Sequence, residues 1–552
     1  MTKDKQTYRS GISRRAFLAG TAAGTTALLT LPKGLRAQEE RTLRIAVTGL
    51  TGEVMDPMME VRGQVSDISM IMFDSLLEIG PDNALVPGLA ESWEVDDSGT
   101  VWTLKLREGA LFHGGYGEVT AEDAVYSLER WMHPDVASSG ASALRNAIKS
   151  VAQTGTYTLE ITTNGARPTF PYMISPHESV TGIVLSKKQL LEAGEDFEAQ
   201  TRLLNEGPIG SGPYQFESHR RGRSLTIAAF DGHWRAKPEA RRVEFLIVPD
   251  LSTQFLMLQS GEIDVMQPDP DQAAQLRDMD GFVLATVPNS ADLALNIYGT
   301  FTPAGQEMAT SDPRVRKAIS LAINRQAIGE SLMSGFARAP GAPWGLAAKA
   351  DGLLPEAFEP WMEEAAIYDP EQAKALMAEA GYPDGFTVAV RDSVRAASFP
   401  NPSVVALAVA QQLAEVGIKV EYTTQEYTTI RPYFVEKQDD AYIAGQLAAA
   451  TNTPRFTSEA YLRVFYAQAG VSRLLKDDRF EALVAMIGKT MNTAEREAMV
   501  TEAMQILHQS WVTVPVLAAD TLFAVNDAVV ADWPQRDTWP FLSRQIELLK
   551  LT

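Results

Sequence analysis

Residues 386–422 constrain the fold of this 552-residue chain more than any other stretch. Phe386-Thr-Val-Ala-Val390 reads as a strand, Ser403 to Val416 as a helix closed by Gly417, and Ile418-Lys-Val-Glu-Tyr422 as a second strand. Strand, helix and strand within about 37 residues form a βαβ unit, which implies parallel pairing under a helical cover. The class is therefore α/β. Other segments agree. Thr42–Thr48 alternates as a first strand, and Thr100–Arg107 puts Trp102, Leu104 and Leu106 on one face. Thr120-Ala-Glu-Asp123 is a capping box opening a helix with Val125, Leu128 and Met132. A helix from Ser252 stops at Gly261, with a short strand at Glu262–Val265. Asp312-Pro313 and Asp369-Pro370 each place a cap before Pro at the first helical position. Val315, Ala318, Ile319, Ala322 and Ile323 follow the first at helical spacing, and Ala373, Leu376, Met377 and Ala380 the second. No internal repeat, low-complexity tract or long linker interrupts the pattern.

The first 37 residues read differently. Ser13-Arg14-Arg15-Ala16-Phe17-Leu18 precedes a mildly apolar run rich in Gly, Ala and Thr, ending at Leu35-Arg36-Ala37. This is the pattern of a removable twin-arginine export signal. The run is too short and too small-residue-rich to span a bilayer. The working protein is expected to be exported and soluble, beginning near Gln38. Removing seven basic and one acidic residue with the signal leaves 42 basic against 69 acidic residues, a net charge of −27. So acidic a surface argues against nucleic acid as a partner. There is no cysteine. That excludes disulfides, Cys-zinc sites, thiol nucleophiles and a lipid-modified N-terminal Cys, so a freely diffusing periplasmic protein is expected.

Catalytic patterns are missing. There is no G-x-x-x-x-G-K-[ST] loop and no G-x-S-x-G elbow. His177-Glu178-Ser179-Val180-Thr181 lacks the second His of a zinc-protease helix, and the six histidines are scattered, with no i,i+4 pair. Each reads as a surface or hydrogen-bonded structural His rather than a ligand. Gly207–Gly212 runs into Pro213-Tyr214 and reads as a tight turn. Trp93, Trp102 and Trp234 are expected on alternating strands in the core. Arg220-Arg221-Gly222-Arg223 and Arg241-Arg242 read as solvated turns. No metal site and no cofactor are expected.

Several ordered segments together resemble the large solute-binding proteins of peptide-type ABC transporters, extracellular family 5. Leu85 to His113, with Pro87-Gly-Leu-Ala-Glu-Ser-Trp93 and Leu106-Arg-Glu-Gly-Ala-Leu-Phe-His113, matches one signature and continues into Val119–Arg130. Gly210-Ser-Gly-Pro-Tyr214 resembles the family's G-[ST]-G-P-Y turn, and Asp312–Arg325 its D-x-R-V-R helix. Tyr368–Lys374, Ala380–Tyr382 and Gln411–Val420 complete the set. The resemblance implies a two-lobe α/β periplasmic binding protein of the large type II subclass. Lobe 1 would span 38–290 with an extra subdomain at about 86–205, lobe 2 would span 291–515, and 516–552 would return to lobe 1. The chain would cross near Asn289–Asn296 and return near Val514–Ala519. It implies a monomer that encloses a small-molecule or peptide-like ligand and delivers it to an ABC permease in the inner membrane, breaking no bond. Ligand contacts would fall at Thr51, Glu53, Trp344, Arg391, Arg395, Gln446, Leu447, Ala449 and Asn452.

The ligand class departs from the peptide-binding pattern. Such relatives hold the ligand's ammonium with an Asp in a G-W-x-x-D motif; here Gly445 is followed by Gln446 at the Trp position and Ala449 at the Asp position. Arg395, with Arg391 as a rival, lies where dipeptide-binding relatives place a carboxylate-binding Arg. A missing acid beside a basic residue suggests a carboxylate-bearing ligand without a free N-terminal ammonium, such as an opine, a modified peptide or an acidic sugar. The alternative is that Glu53 or Asp392 replaces the lost Asp. Two rival functions are an exported α/β enzyme and a chemoreceptor-type binding protein on the same fold.

Overall fold

The computed structural model describes residues 42–50, 53–59, 68, 70–80, 84–136, 138–176, 181–341, 343, 355–394, 399–452, 455, 457–534 and 546–552. In chain order the strands are β1 (Thr42–Val47), β2 (Leu77–Ile79), β3 (Leu85–Pro87), β4 (Ala90–Val95), β5 (Val101–Leu106), β6 (Ile148–Gly155), β7 (Thr158–Thr163), β8 (Tyr214–Arg220), β9 (Ser224–Ala229), β10 (Arg242–Ile247), β11 (Val265–Met266), β12 (Phe282–Ile297), β13 (Ala337–Arg338), β14 (Phe386–Val394), β15 (Ile418–Glu426), β16 (Leu447–Asn452) and β17 (Thr513–Asn526), then the short strands Val530–Asp532 and Lys550–Leu551.

The βαβ unit is present, with β14 and β15 parallel from Phe386↔Ile418 to Val394↔Glu426. Its helix runs Pro402–Glu415 and buries Val405, Ala406, Val409 and Leu413. One large sheet has the order β15-β14-β16-β12-β17-β11-β1-β10-β9-β8, with β13 on β17. A separate antiparallel sheet, β4-β5-β7-β6, lies within the extra segment of the first half. There Trp102, Leu104 and Leu106 are buried together.

β12 and β17 belong to both halves. Phe282–Val287 pairs with Thr521–Asn526, and Ala291–Asn296 with Thr513–Ala519, with the register broken between Val287 and Ala291. At the break Asn289 is left-handed, with φ of 49°. The Asn289 N–H donates to Asp520 Oδ1 at 3.0 Å, and Ser290 Oγ to the Val287 carbonyl at 2.8 Å. Each half has its own apolar core. Leu43, Ile45, Leu104, Phe170 and Phe245 share the first. Leu293, Leu295, Ile319, Val388 and Val514 share one in the second half. This is a two-lobe α/β fold.

Local signals held where short-range chemistry controlled them. The Thr120 N–H donates to Asp123 Oδ2 at 3.0 Å. Asp312 and Asp369 cap helices Pro313–Leu321 and Pro370–Glu379. In the helix Ala121–Trp131, Leu128 and Trp131 are buried while Val125 and Met132 are half-buried, so Trp131 takes much of the core face. Three expectations fail. Arg241-Arg242 is not a turn: Arg242 opens β10, and its guanidinium pairs with Glu217 of β8. The strand placed at Glu262–Val265 is Val265–Met266: the amides of Glu262 and Ile263 both donate to the Met257 carbonyl, wrapping the helix end at Gly261. Trp234 is not on a strand. It sits in the turn after β9, where its Nε1 donates to buried Asp74 at 3.1 Å and Arg107 stacks 3.9 Å from its ring.

Candidate functional site

β14, β16 and β12 lie side by side, so the predicted contacts on β14 and β16 are neighbours: Val390 pairs with Leu447, Arg391 with Ala448 and Asn452 with Asp292. Successive strand residues face opposite ways. Along β12, Leu293, Leu295 and Ile297 enter the second-half core. Ala294 and Tyr298 enter another cluster, with Ala448, Tyr461, Phe465, Tyr466 and Trp361. That cluster also contains Ile79 of β2, with Met70 packed against it. Ile79 and Met70 of the first half thus meet residues of the second half there, so the cluster lies between the two halves.

This face is aromatic and carries buried polar groups. Tyr298 stacks on Phe434 with centroids 5.0 Å apart. The Tyr461 and Tyr466 hydroxyls are 3.0 Å apart. Burial, the Tyr466 neighbour and the Asp292 charge together push the Tyr461 phenol well above its ordinary pKa. Thr513 Oγ1 donates to Asn296 Oδ1 at 2.9 Å. Asp292, on the same strand face, is 5% exposed. Sequence reading missed Asp292 and the Tyr461–Tyr466 segment. The available signals were an acid inside the apolar run Ala291–Leu295 and three aromatics in six residues.

Arg391 donates from Nε to the Tyr442 carbonyl at 3.2 Å and from Nη1 to Thr423 Oγ1 at 3.0 Å, with its guanidinium 4.1 Å from the Tyr442 ring centroid. Gln446 Oε1 accepts the Ala389 N–H at 2.7 Å, tying β16 to β14. Leu447 is fully buried in the second-half core, and Ala449 is nearly so. Glu53 stands apart from these residues. Its φ is 45°, both carboxylate oxygens take the Gly222 N–H at 3.0 and 2.9 Å, and Oε2 lies 2.8 Å from His219 Nε2. Asp392 is 2% exposed and holds the hydroxyls of Ser403 (2.5 Å) and Tyr422 and the Ser393 N–H (2.7 Å). Thr51, Trp344, Arg395 and the His177–Val180 stretch lie outside the described residues. Among the described residues no cluster of three metal-ligating side chains occurs, and no helix is long and apolar enough to cross a membrane.

The chain belongs to the bacterial extracellular solute-binding proteins, family 5, whose family model matches residues 84–464. It is 27% identical over 451 residues to the heme-binding protein A of Haemophilus influenzae, covering 78% of each chain. It is 29% identical over 402 residues to the dipeptide-binding protein of Escherichia coli, covering 68% of this chain and 70% of that one. The structure of HbpA2 from Haemophilus parasuis superposes with a TM-score of 0.74 at 23% identity, over 90% of this chain and 98% of that one. The protein is the solute-binding component of an ABC importer.

Proposed function

We propose that the exported, lipid-free protein works in the periplasm as a monomer without enzymatic activity, and captures one carboxylate-bearing, peptide-like solute by closing two lobes over it. The proposed lobes are 38–290 with 516–552, and 291–515, with an extra subdomain at about 86–205. The break in the β12–β17 ladder at Val287/Ala291 carries the closure reading, because among the described residues these two strands run continuously through both halves. Closure is driven by the ligand's higher affinity for the closed state. Delivery to the inner-membrane permease follows from the family. Replacing Arg14 and Arg15 by Lys leaves precursor in the cytoplasm; unchanged periplasmic yield would refute the twin-arginine signal.

The ligand's charge is read from the acids. An enclosed ammonium without a counter-charge is expensive. Position 449 is Ala, and the carboxylates of Glu53 and Asp392 already hold partners within the protein. These features favour a carboxylate ligand that lacks a free α-ammonium, held by Arg395. The second reading is that Glu53 or Asp392 exchanges a partner and pairs with the ligand's ammonium. Calorimetry separates them. On the first reading N-acetylated dipeptides bind more tightly than free ones, and Arg395→Ala costs about 2–5 kcal/mol. On the second, free dipeptides bind better, and Glu53→Gln or Asp392→Asn abolishes the preference. Mass spectrometry of ligand that co-purifies with the native protein identifies the solute directly.

A further inference from the structure

Met491 lies between the helices Asp478–Ile487 and Thr493–Ser510 of the second lobe, yet its side chain packs against the apolar core of the first. Its partner is the tip of the extra subdomain. A Cβ built on Gly99, in the β4–β5 turn, would stand 2.8 Å from Met491 Cγ, 2.9 Å from its sulfur and 3.1 Å from the Ala166 Cβ. Arg167 follows Ala166, and its N–H donates to the Gly99 carbonyl at 3.3 Å, so turn and arginine form one unit. The Arg167 Nε is buried and has no hydrogen-bond partner, and burial lowers the guanidinium pKa, with the Glu459 charge opposing and the Arg463 charge adding to the shift. Glu459 is held in place by Arg463 Nε at 2.6 Å. The Gly99–Ala166 tip and Met491 thus form an apolar plug that bridges the lobes outside the crossing strands.

We propose that this contact, Gly99 and Ala166 against Met491, is a latch that sets the open–closed balance, and so the ligand affinity, without touching ligand. The proposal rests on the closure reading above. Contacts present only in the closed form raise its population, and apparent affinity scales with that population. Gly99 is suited to the role because any side chain there wedges Met491 away. Its φ of +71° adds backbone strain, but that strain is independent of residue 491.

The chain has no cysteine, so Asp135→Cys and Glu497→Cys, on the subdomain and the second lobe, provide the only two spin-label sites. Interlobe distances are measured by double electron–electron resonance in ligand-free protein, with circular dichroism confirming the fold of each variant. Met491→Ala and Gly99→Ala are each expected to raise the long-distance population roughly tenfold. The double variant is expected to fall short of additivity, because truncating Met491 removes the atoms that Gly99→Ala strikes. Ile79→Glu, which places a charge in the apolar interlobe cluster, is the control. If Ile79→Glu lengthens the distance and the latch variants do not, or if their effects are additive, the latch is overturned while closure stands. If no variant lengthens it, the latch is overturned, and closure is judged separately by whether saturating co-purified solute shortens the distance in the labelled parent.

Discussion

At the residue scale, two signature segments turn out to be two halves of one contact. His113, at the end of the Leu106–His113 signature, is 1% exposed. Its Nδ1 accepts the Gly210 N–H at 3.2 Å and its Nε2 lies 2.9 Å from the Gly212 carbonyl, so the ring clamps the Gly-Ser-Gly turn as a neutral tautomer. Burial lowers its pKa from 6.5 to about 4, against opposing effects from Gly212 and Asp74. The folded state therefore binds this proton less readily than the unfolded state. The ring's contribution is fully present above pH 6.5 and is lost as pH falls from 6.5 to about 4. The loss is on the order of 3 kcal/mol. Urea denaturation of wild type and His113→Gln across this range tests it: the wild-type slope flattens in the variant.

At the element scale, the same turn shows why its residues are glycines. A Cβ on Gly210 would lie 1.9 Å from the Met72 carbonyl oxygen, and one on Gly212 2.6 Å from that of Ile71. Backbone cannot yield as a flexible side chain does, so Gly210→Ala is expected to cost at least about 2–3 kcal/mol, read as a drop in melting temperature. Gly222→Ala, in an open hairpin turn with φ of 69°, meets nothing within 4 Å and is expected to cost about 1 kcal/mol. A larger loss at 222 than at 210 would refute the close-approach argument.

At the scale of the whole molecule, the proposed closure would concentrate motion in a few residues. Between Val287 and Ala291 the strand pairing lapses, and Ser290, Thr521 and Asp520 supply side-chain bonds instead, such as Thr521 N–H to Ser290 Oγ at 3.0 Å. Such bonds reorient at little cost compared with a regular ladder. Saturation with the co-purified solute is expected to compact the protein in small-angle scattering and to raise its melting temperature. An unchanged scattering profile at saturation would count against the two-lobe mechanism.

What could be read from the chain alone was governed by short-range chemistry. The Thr120–Asp123 box, the Asp312 and Asp369 caps and the β14–β15 unit were legible because their determinants lie within a few residues or within one strand–helix–strand run. So was the family, carried by turns such as Gly210–Tyr214, where backbone packing admits no side chain. The site was only partly legible. Nothing local in Glu53 announces that Gly222 and His219, over 160 residues away, occupy its carboxylate, nor in Gln446 that its amide oxygen serves Ala389. Nor does the sequence around Met491 show that this side chain packs against the apolar core of the first half. Those assignments depend on contacts between distant segments, and only the tertiary structure, which decides which buried polar and apolar groups meet, could make them.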